Sequence, residues 1–380
     1  MRKVFFITRT YLPIENGPSL MRVGTVKYLE KNGFDVTVIT PNYNKQNIEK
    51  KKNAIYFPFT FSSFIGLTLE KIGIFDDYMD LWVKNVCDYL IDKVDRQCII
   101  FTTSGGELGC IKLGYLLKKT LGCKFVIHFH DPISHSYVNG VKNSKMPHVR
   151  REPTEYKFYH NADFLITTSE YYKKALVKKF PDLESKIIHN YFGYLQDEEQ
   201  ATRPMRGNIS IAYGGAMSKI QSPELLAKAA SDLDGVDVYY MGKHKQYRPL
   251  DIFRDKCQCM ETMFHSQYLD FMKRNIDIGF VSLAGDYFGA CVPSKIYEYI
   301  NLGLPMLGAL PDGDAKDIIN TNGFGIACHY RDVDGLRRAI LKMKDNLCLQ
   351  QIKSNVLEHR EKWSMENRFK EILPYITKVI

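Results

Sequence analysis

Strands and helices alternate along the sequence, and this alternation constrains the fold more than any other feature. The apolar runs of strand length lie at 4–8, 36–40, 98–102, 125–129, 162–167, 186–189, 209–213, 236–241, 276–282 and 306–309. Between several of them, apolar residues recur at helical spacing, as in 20–32, 108–121 and 266–274. Repeated strand–helix–strand units form parallel sheets with helices on both faces. The sequence therefore predicts an α/β protein.

A polar segment without periodicity, 196–208, interrupts the alternation once, and the alternation begins again at 209. A chain of 380 residues has room for two or three domains of about 150 residues each. We therefore expect a first α/β domain at 1–195, a linker at 196–208 and a second α/β domain at 209–362.

The net charge of +9 lies entirely in the first half of the chain. Residues 1–190 contain 28 Lys and Arg against 19 Asp and Glu, whereas residues 191–380 contain 24 of each. A basic half suggests an anionic partner such as a phospholipid surface, a phosphorylated acceptor or nucleic acid. The alternative is a lysine-rich surface that only meets solvent. No nucleic-acid-binding motif is recognisable, so nucleic acid is not expected as a partner.

Nine cysteines are scattered without a Cys-x-x-Cys pair, which favours free thiols in a reducing compartment over disulfides or a zinc site. The N-terminal residues enter a strand pattern that Arg9 soon breaks, so we expect no signal peptide. No apolar run reaches the roughly 18 residues of a membrane span; the nearest, the uncharged stretch 54–69, is interrupted by Pro58 and several Ser and Thr. These features predict a cytoplasmic protein.

A lysine-rich stretch in the first half of the chain leaves two interpretations open. Three consecutive lysines at 50–52 precede the aromatic, uncharged segment 56–61, and Phe64 follows it. Basic residues beside aromatic ones can dock at the inner face of an anionic membrane. The same segment also fits a core strand that follows a solvated turn.

Residues 293–305 combine a helix start with charges suited to a phosphorylated ligand. Pro293 and Ser294 stand where a helix begins, and Gly303 and Pro305 end it. A helix N-terminus offers free N–H groups and a positive dipole to an anion, and Lys295 adds a cation. Glu298, three residues later, can accept hydrogen bonds from a sugar's hydroxyl pair. The alternative is an ordinary capped amphipathic helix.

Other candidate residues also follow strands. They are Gly17, the segment 104–106, His130, Asp131, Gly214, Gly215 and Gly242. Ligands of open α/β sheets bind at the carboxyl ends of strands, and two such sheets can face one cleft. The sequence therefore favours a two-domain enzyme.

The two histidines His128 and His130 share one face of a strand. In one interpretation, one histidine lies in the core and the other forms hydrogen bonds with its neighbours. In the preferred interpretation, His130 forms a hydrogen bond with a bound sugar or phosphate. The pair Asp312 and Asp314 could hold a metal on a diphosphate, but a turn explains it more simply. No metal site is therefore expected.

Taken together, the sequence resembles glycosyltransferase family 4, whose fold is GT-B. The resemblance rests on the loop at Gly17, the strand ending in His130 and Asp131, the segments 162–169 and 186–190, and above all 293–305. Trp363 and Ser364 resemble the segment where such chains return to the first domain, so a C-terminal helix at 363–380 is expected to pack there. The resemblance implies two Rossmann-like domains that face a central cleft.

The resemblance also implies roles for individual residues. The catalytic residues would be His130, Asp131 and Glu298, with Glu298 on the ribose hydroxyls and His130 on the donor sugar or its phosphate. The donor-binding residues would be Gly17, Gly214, Gly215, Lys219, Gly242, Ser294, Lys295 and Glu298. Arg9 and Arg22 would lie on the acceptor side.

Two departures from the family pattern change which residues are expected to bind the diphosphate. Ala290 stands where many members carry the first of two glutamates, and Gly215 stands where many carry an arginine. The lysine that usually follows aligns with Lys219 or Gln221. Neutralisation of the diphosphate would then fall on Lys295, Lys219 and backbone N–H groups.

The expected activity is therefore transfer of a sugar from a nucleotide-sugar to a glycan or lipid-linked glycan in bacterial capsule or O-antigen synthesis. Retention at the anomeric carbon and independence of any metal or cofactor follow from the same resemblance. Two other functions stay open: a sugar-nucleotide epimerase on the same fold, and a non-catalytic partner that binds nucleotide-sugar.

Overall fold

The computed structural model describes residues 2–14, 16–43, 47–59, 63–133, 137–138, 141–142, 152–195, 198 and 207–378. The chain divides into two compact units. The first comprises Met1–Leu195 with Arg368–Ile380, and the second comprises Gln196–Asn367. Of the linker expected at 196–208, only residues 198, 207 and 208 are among the described residues.

The first unit alternates strands and helices from its first residues. Its strands are β1 (Arg2–Ile7), β2 (Phe34–Asn42), β3 (Glu49–Lys51), β4 (Ala54–Pro58), β5 (Ile99–Gly105), β6 (Lys124–Asp131), β7 (Tyr137–Val138), β8 (Val141–Lys142), β9 (Phe164–Thr167) and β10 (Ile187–His189). Its helices in this stretch are α1 (Gly17–Lys31), α2 (Ser63–Lys71), α3 (Asp80–Leu90), α4 (Gly109–Leu121), α5 (Glu152–His160) and α6 (Glu170–Lys179).

Eight of these strands form one sheet in the order β10-β9-β6-β5-β1-β2-β4-β3. All neighbours in it are parallel except β3 and β4. Val4 of β1 lies opposite Val36 on one side and Ile99 on the other, and the side chains of all three are buried. A parallel sheet covered on both faces needs such continuous apolar strands. The strand order reverses between β1 and β5, which makes their carboxyl ends the topological switch point.

The second unit repeats this plan with six parallel strands. They are β11 (Ile209–Gly214), β12 (Val236–Met241), β13 (Gln258–Met260), β14 (Ile278–Ser282), β15 (Met306–Leu310) and β16 (Gly325–His329). Its helices are α7 (Glu224–Ala230), α8 (His265–Asn275), α9 (Ser294–Asn301), α10 (Asp314–Thr321), α11 (Val333–Lys344) and α12 (Asn346–His359). The sheet order β13-β12-β11-β14-β15-β16 is the Rossmann order, and it reverses between β11 and β14.

The last two helices, α13 (Met365–Lys370) and α14 (Leu373–Lys378), carry the chain back to the first unit. The ring of Phe369 lies 5.3 Å from Tyr28 and 6.3 Å from Phe192, and Tyr375 lies 5.9 Å from Phe164. The sequence placed this return at 363, whereas in the structure the residues from Arg368 onward group with the first unit. Trp363 packs 6.2 Å from Tyr297 of the second unit.

The aromatic segment after the three lysines begins as a core strand. Tyr56 and Phe57 of β4 are buried, which supports the core-strand interpretation for these residues over docking at a membrane. Residues 60–62 lie outside the described residues. Among the helices that the structure describes, none has the length and hydropathy required to cross a membrane.

Candidate functional site

The carboxyl ends of β11 and β14 bring one set of predicted residues together in the second unit. Gly214 ends β11 and Gly215 follows it, while the helix α9 follows β14 with Ser294 and Lys295 in its first turn. The strands β11 and β14 are neighbours in the sheet, so these segments meet at the switch point. We call Gly214, Gly215, Gly242, Ser294, Lys295 and Glu298 the second-unit site.

Close contacts explain why glycines line this site. The backbone of Gly215 has φ +120°, and a Cβ there would lie 2.9 Å from Lys295 Nζ. Gly242 has φ +140°, and a Cβ there would lie 2.4 Å from the carbonyl oxygen of Gly215. Both φ values are costly for any residue with a side chain. At Gly214 a Cβ would lie 2.3 Å from the ring of Tyr268. The glycines therefore let the Lys295 ammonium and two loops approach one another.

The N-terminus of α9 is open to an anion. Its N-cap residue is Pro293, which has no side-chain hydrogen bond to the helix, and its first turn holds no acidic residue. A helix N-terminus carries about half a positive charge on its unpaired N–H groups. The Lys295 ammonium lies 5.0 Å from the ring centroid of Tyr213, which fixes it beside that terminus.

Opposite charges stand one turn apart on α9. Burial lowers the pKa of the Lys295 ammonium, and the nearby Glu298 carboxylate opposes that shift. Burial raises the pKa of the Glu298 carboxyl, while His265 and Lys295 oppose that shift. A cation at the helix start and a carboxylate behind it can hold a phosphate and a diol side by side.

Sequence reasoning missed two aromatic residues at this site. His265 begins α8 and its ring stacks on Tyr268 at 6.2 Å. Burial raises the pKa of the Tyr268 phenol well above its ordinary value, and Tyr299 and Glu298 act in the same direction. The available signal was position: α8 follows the carboxyl end of β13, as the other site segments follow their strands.

Lys219 follows Gly215 of the second-unit site by four residues. It lies on an exposed turn after β11, and its carbonyl oxygen accepts a hydrogen bond of 2.7 Å from the Ser222 hydroxyl. Its ammonium has no hydrogen bond or ion pair with the residues that the structure describes. Its role toward phosphate stays a prediction.

The carboxyl ends of β1, β5 and β6 bring a second set of residues together in the first unit. A Cβ on Gly105 would lie 3.2 Å from Arg22 Nη2, 3.7 Å from Glu107 Oε2 and 3.9 Å from Asp131 Oδ2. The guanidinium of Arg22 is 1% exposed and donates to the carbonyl oxygen and hydroxyl of Thr10. We call Arg9, Arg22, Glu107, His128, His130 and Asp131 the first-unit cluster.

Glu107 acts most strongly on the arginines of this cluster, and Asp131 also acts on Arg22. Oε2 of Glu107 accepts 3.1 Å from the Gly105 N–H and lies 3.7 Å from Arg9 Nε. Glu107 raises the pKa of Arg9 above its ordinary value, whereas burial lowers the pKa of Arg22. Sequence reasoning missed Glu107, although it directly follows the glycine pair at the end of β5.

The rings of His128 and His130 are buried side by side, 4.9 Å apart. Burial, reinforced by Arg22, lowers the pKa of His128 to about 3. Burial, His128 and Arg22 together lower the pKa of His130 well below its ordinary value. None of the four ring nitrogens has a hydrogen-bond partner among the described residues. Both rings are therefore neutral at physiological pH, and each can donate one hydrogen bond and accept another.

Gly17 is the first residue of α1, because the helix begins three residues earlier than the expected 20. The Asn16 side chain accepts a hydrogen bond of 2.9 Å from the Ser19 N–H, and the Ser19 side chain accepts one of 3.0 Å from the Asn16 N–H. This capping box satisfies part of the helix start, unlike the open start of α9. Contact between Gly17 and a diphosphate stays a prediction.

The acidic pair at 312 and 314 forms the turn before α10. Asp312 pairs with Lys316 at 2.7 Å, and Asp314 is buried as the first residue of the helix. Over the ranges that the structure describes, no group of three or more His, Cys, Asp and Glu side chains could hold a metal ion.

The two-unit architecture is that of solved glycosyltransferases. The Anabaena protein Alr3699/HepE, in complex with UDP and glucose, matches with a TM-score of 0.70 and 11% identity over 100% of both chains. The apo form of the lipopolysaccharide outer core galactosyltransferase WaaB matches with a TM-score of 0.69 and 13% identity over 100% of both chains. A glycosyltransferase from Rickettsia africae ESF-5 matches with 0.69 and 14%, over 99% of this chain and 98% of that one. At these identities the likeness shows the fold, which is GT-B.

The comparison with protein-family models gives a match within the first unit. Residues 23–191 match the model of Glycosyltransferase Family 4. The resemblance to this family that the sequence indicates is thereby confirmed. No curated protein matches the sequence.

Proposed function

We propose that this chain is a retaining, metal-independent glycosyltransferase that moves a sugar from a nucleotide-sugar to a glycan or lipid-linked glycan. Its expected setting is bacterial surface polysaccharide synthesis. The observation that carries the proposal is the second-unit site, where Lys295 and Glu298 flank the open start of α9 at a switch point.

The donor would lie along α9. The diphosphate accepts hydrogen bonds from the N–H groups of the first turn and pairs with the Lys295 ammonium. Glu298, one turn further, accepts from the two ribose hydroxyls. Because the Lys295 ammonium lies over the ring of Tyr213 and beside Gly215, it would be held in place before the donor arrives. Such a pre-positioned charge stabilises the leaving diphosphate more than a mobile one would.

Within the first-unit cluster, His130 would supply neutral hydrogen bonds to a sugar. His130 is uncharged at physiological pH because of its burial, so it can donate one hydrogen bond to a sugar hydroxyl and accept another. Retention without a covalent intermediate requires the leaving diphosphate to assist the incoming hydroxyl on the same face of the sugar. The protein then contributes positioning and charge stabilisation.

Two of the structural matches support this choice of donor and product class. One is a protein in complex with UDP and glucose, and another is a lipopolysaccharide galactosyltransferase. The family match over 23–191 supports glycosyl transfer as the reaction.

A ligand panel tests the donor first. The protein is heated with UDP, GDP, ADP and their glucose, galactose and mannose conjugates, and a donor that binds the folded state raises the melting temperature. The stabilising nucleotide-sugar is then incubated with lipid-linked and free oligosaccharide acceptors, with and without EDTA. NMR of the product reads the anomeric configuration. The proposal fails if no nucleoside diphosphate stabilises the protein.

The role of Glu298 has its own test. For the nucleoside diphosphate that binds, affinity is compared with that of its 2′,3′-dideoxy analogue. The native protein should prefer the ribose form by about tenfold or more, and Glu298→Gln should lose most of that preference. Lys228→Ala, an exposed change on α7, serves as the control and should keep it. Equal preference in Glu298→Gln and the native protein would remove Glu298 from the ribose site.

The same incubations separate the alternatives. An epimerase converts the nucleotide-sugar into an isomer without any acceptor, which the NMR spectrum would reveal. A non-catalytic partner binds the nucleotide-sugar but releases no nucleoside diphosphate in the presence of any acceptor.

A further inference from the structure

The helix α2 packs against the first unit through its polar and small residues. A Cβ on Gly66 would lie 2.7 Å from the carbonyl oxygen of Tyr78, so the helix backbone contacts that loop directly. Glu70 is buried on the same side, and its Oε2 accepts 3.1 Å from the Tyr78 N–H. Positions four apart lie on one face of a helix. The inward face of α2 is therefore the one that carries Gly66 and Glu70.

Five apolar residues of α2 and of the turn after it lie in solvent, whereas Leu69 of the helix is half-buried. Phe64 is 76% exposed, Ile72 is 60% exposed and Ile74 is 65% exposed, with Ile65 and Leu67 also exposed. We call these five side chains the α2 face. A surface helix of a globular protein normally buries its apolar stripe and exposes its charges. Here the arrangement is reversed, and contiguous exposed apolar patches mark interaction sites.

Charge indicates which partner fits this face. The first unit contains 31 Lys and Arg against 20 Asp and Glu, a net charge of +11, whereas the second unit has a net charge of −2. The exposed charge of α2 is the Lys71 ammonium at its C-terminal end, since Glu70 is buried. A short helix with protruding Phe, Ile and Leu and a flanking cation suits the headgroup boundary of an anionic bilayer.

We propose that the α2 face docks the first unit onto an anionic lipid bilayer. Phe64, Ile72 and Ile74 enter the headgroup–acyl boundary, and Lys71 together with the basic unit meets the anionic headgroups. Tyr78, which contacts the inward side of α2, accepts a hydrogen bond of 3.3 Å from Arg9 Nη1 of the first-unit cluster. Delivery of a lipid-linked acceptor to Arg9 rests on the proposed function, whereas docking does not.

Co-sedimentation of the full chain with vesicles tests docking without any nucleotide or acceptor. One set of vesicles is phosphatidylcholine alone, and the other is phosphatidylcholine mixed with phosphatidylglycerol. The native chain should partition onto the mixed vesicles, and Phe64→Ser with Ile72→Ser should reduce the partition coefficient about tenfold or more. The matched control is Ile252→Ser with Leu347→Ser, which removes side chains 79% and 80% exposed on the second unit and should keep the native coefficient.

A second variant reports on docking where the serine changes disturb folding. Phe64→Trp keeps an apolar ring at the face, and the native Trp82 and Trp363 are already buried. Its emission should shift to the blue on mixed vesicles, and Lys71→Glu should weaken binding to these vesicles more than to phosphatidylcholine.

Several results would overturn the proposal: no partition of the native chain onto either vesicle, equal losses in the α2 and control variants, or no emission shift of Trp at position 64. A native dimer that the serine variant dissociates, without vesicle binding, would assign the face to a second copy of the chain instead. Because these assays contain no donor, their failure leaves the donor panel to judge the proposed function separately.

Discussion

The two units share a strand order around their switch points but handle charge there in different ways. In the second unit, Lys295 and Glu298 are half-buried beside a helix start that no side chain caps. In the first unit, Arg22 and Glu107 are buried, and Glu107 neutralises Arg9 while binding the Gly105 N–H. The second-unit charges stand beside a helix start without a side-chain cap, whereas the first-unit charges pair with one another. We therefore expect charge substitutions at this edge of the sheet to affect ligand binding in the second unit and stability in the first.

The largest expected effect separates ligand binding from stability in the second unit. Lys295→Ala removes the cation beside α9 and should lower kcat/KM for the nucleotide-sugar by about a hundredfold or more. The melting temperature without ligand should stay close to that of the native protein, because burial already disfavours the ammonium. Lys228→Ala is the control for loss of a lysine. Unchanged kinetics in Lys295→Ala would break the comparison.

The first unit should respond in the opposite way. Glu107→Gln removes the carboxylate that acts most strongly on Arg9 and Arg22 and leaves Asp131 near Arg22, so it should lower the free energy of unfolding by about 2 kcal/mol. Urea unfolding measures this loss. Asp232→Asn, which removes an exposed carboxylate that pairs with Arg337, should leave the urea midpoint unchanged. A native midpoint in Glu107→Gln would show that its charges are not structural.

Acid should destabilise the first unit through its buried histidines. The pKa of His128 falls from an ordinary 6.5 to about 3 on folding because of burial. The folded state thus favours the neutral form of His128. The stabilisation that this preference gives the folded protein is complete above pH 6.5 and is lost as the pH falls toward 3. Between pH 6.5 and pH 5, native stability should fall by about 2 kcal/mol more than that of His128→Asn. Parallel profiles of the two proteins would contradict the burial of a neutral ring.

The smallest effect compares two glycines with positive φ. Gly215→Ala adds a Cβ 2.9 Å from Lys295 Nζ and should weaken nucleoside diphosphate binding, by about tenfold if the ammonium moves away. Gly33→Ala, at φ +85° with nothing within 4 Å of the added Cβ, should lower stability by about 1 kcal/mol and leave binding unchanged. Calorimetric titration with the stabilising nucleotide measures both. Equal binding in the two variants would show that Gly215 matters only for its backbone.

Local patterns predicted much of the fold. The strand at 236–241 matches the observed β12, and the helix at 266–274 lies within one residue of α8 at each end. The start of α1 was placed late because the capping box of Asn16 and Ser19 draws Gly17 and Pro18 into the helix. Predictions of this kind succeed where neighbouring residues decide the outcome, as in apolar periodicity and helix punctuation.

The candidate site residues also divide into those that local sequence could identify and those that it could not. Lys295 and Glu298 are three residues apart, so one helix places both, and the sequence was enough to find them. Glu107, His265 and Tyr268 were missed because each gains its meaning from residues on other strands or helices. Roles for Gly17 and Lys219 toward a phosphate stay predictions, since the structure records for them only a helix start and a turn.

The sequence by itself determined two parallel α/β domains, a helix start suited to an anion, and a basic first half. These features depend on the order of residues along short stretches, because strand and helix periodicities can be recognised within such stretches. Only the tertiary structure decided that the backbone of Gly105 lies beside Arg22, Glu107 and Asp131, and that α2 turns its apolar side to solvent. The reason is physical: the burial and pairing of a side chain depend on which distant strands become neighbours, and that is settled by packing.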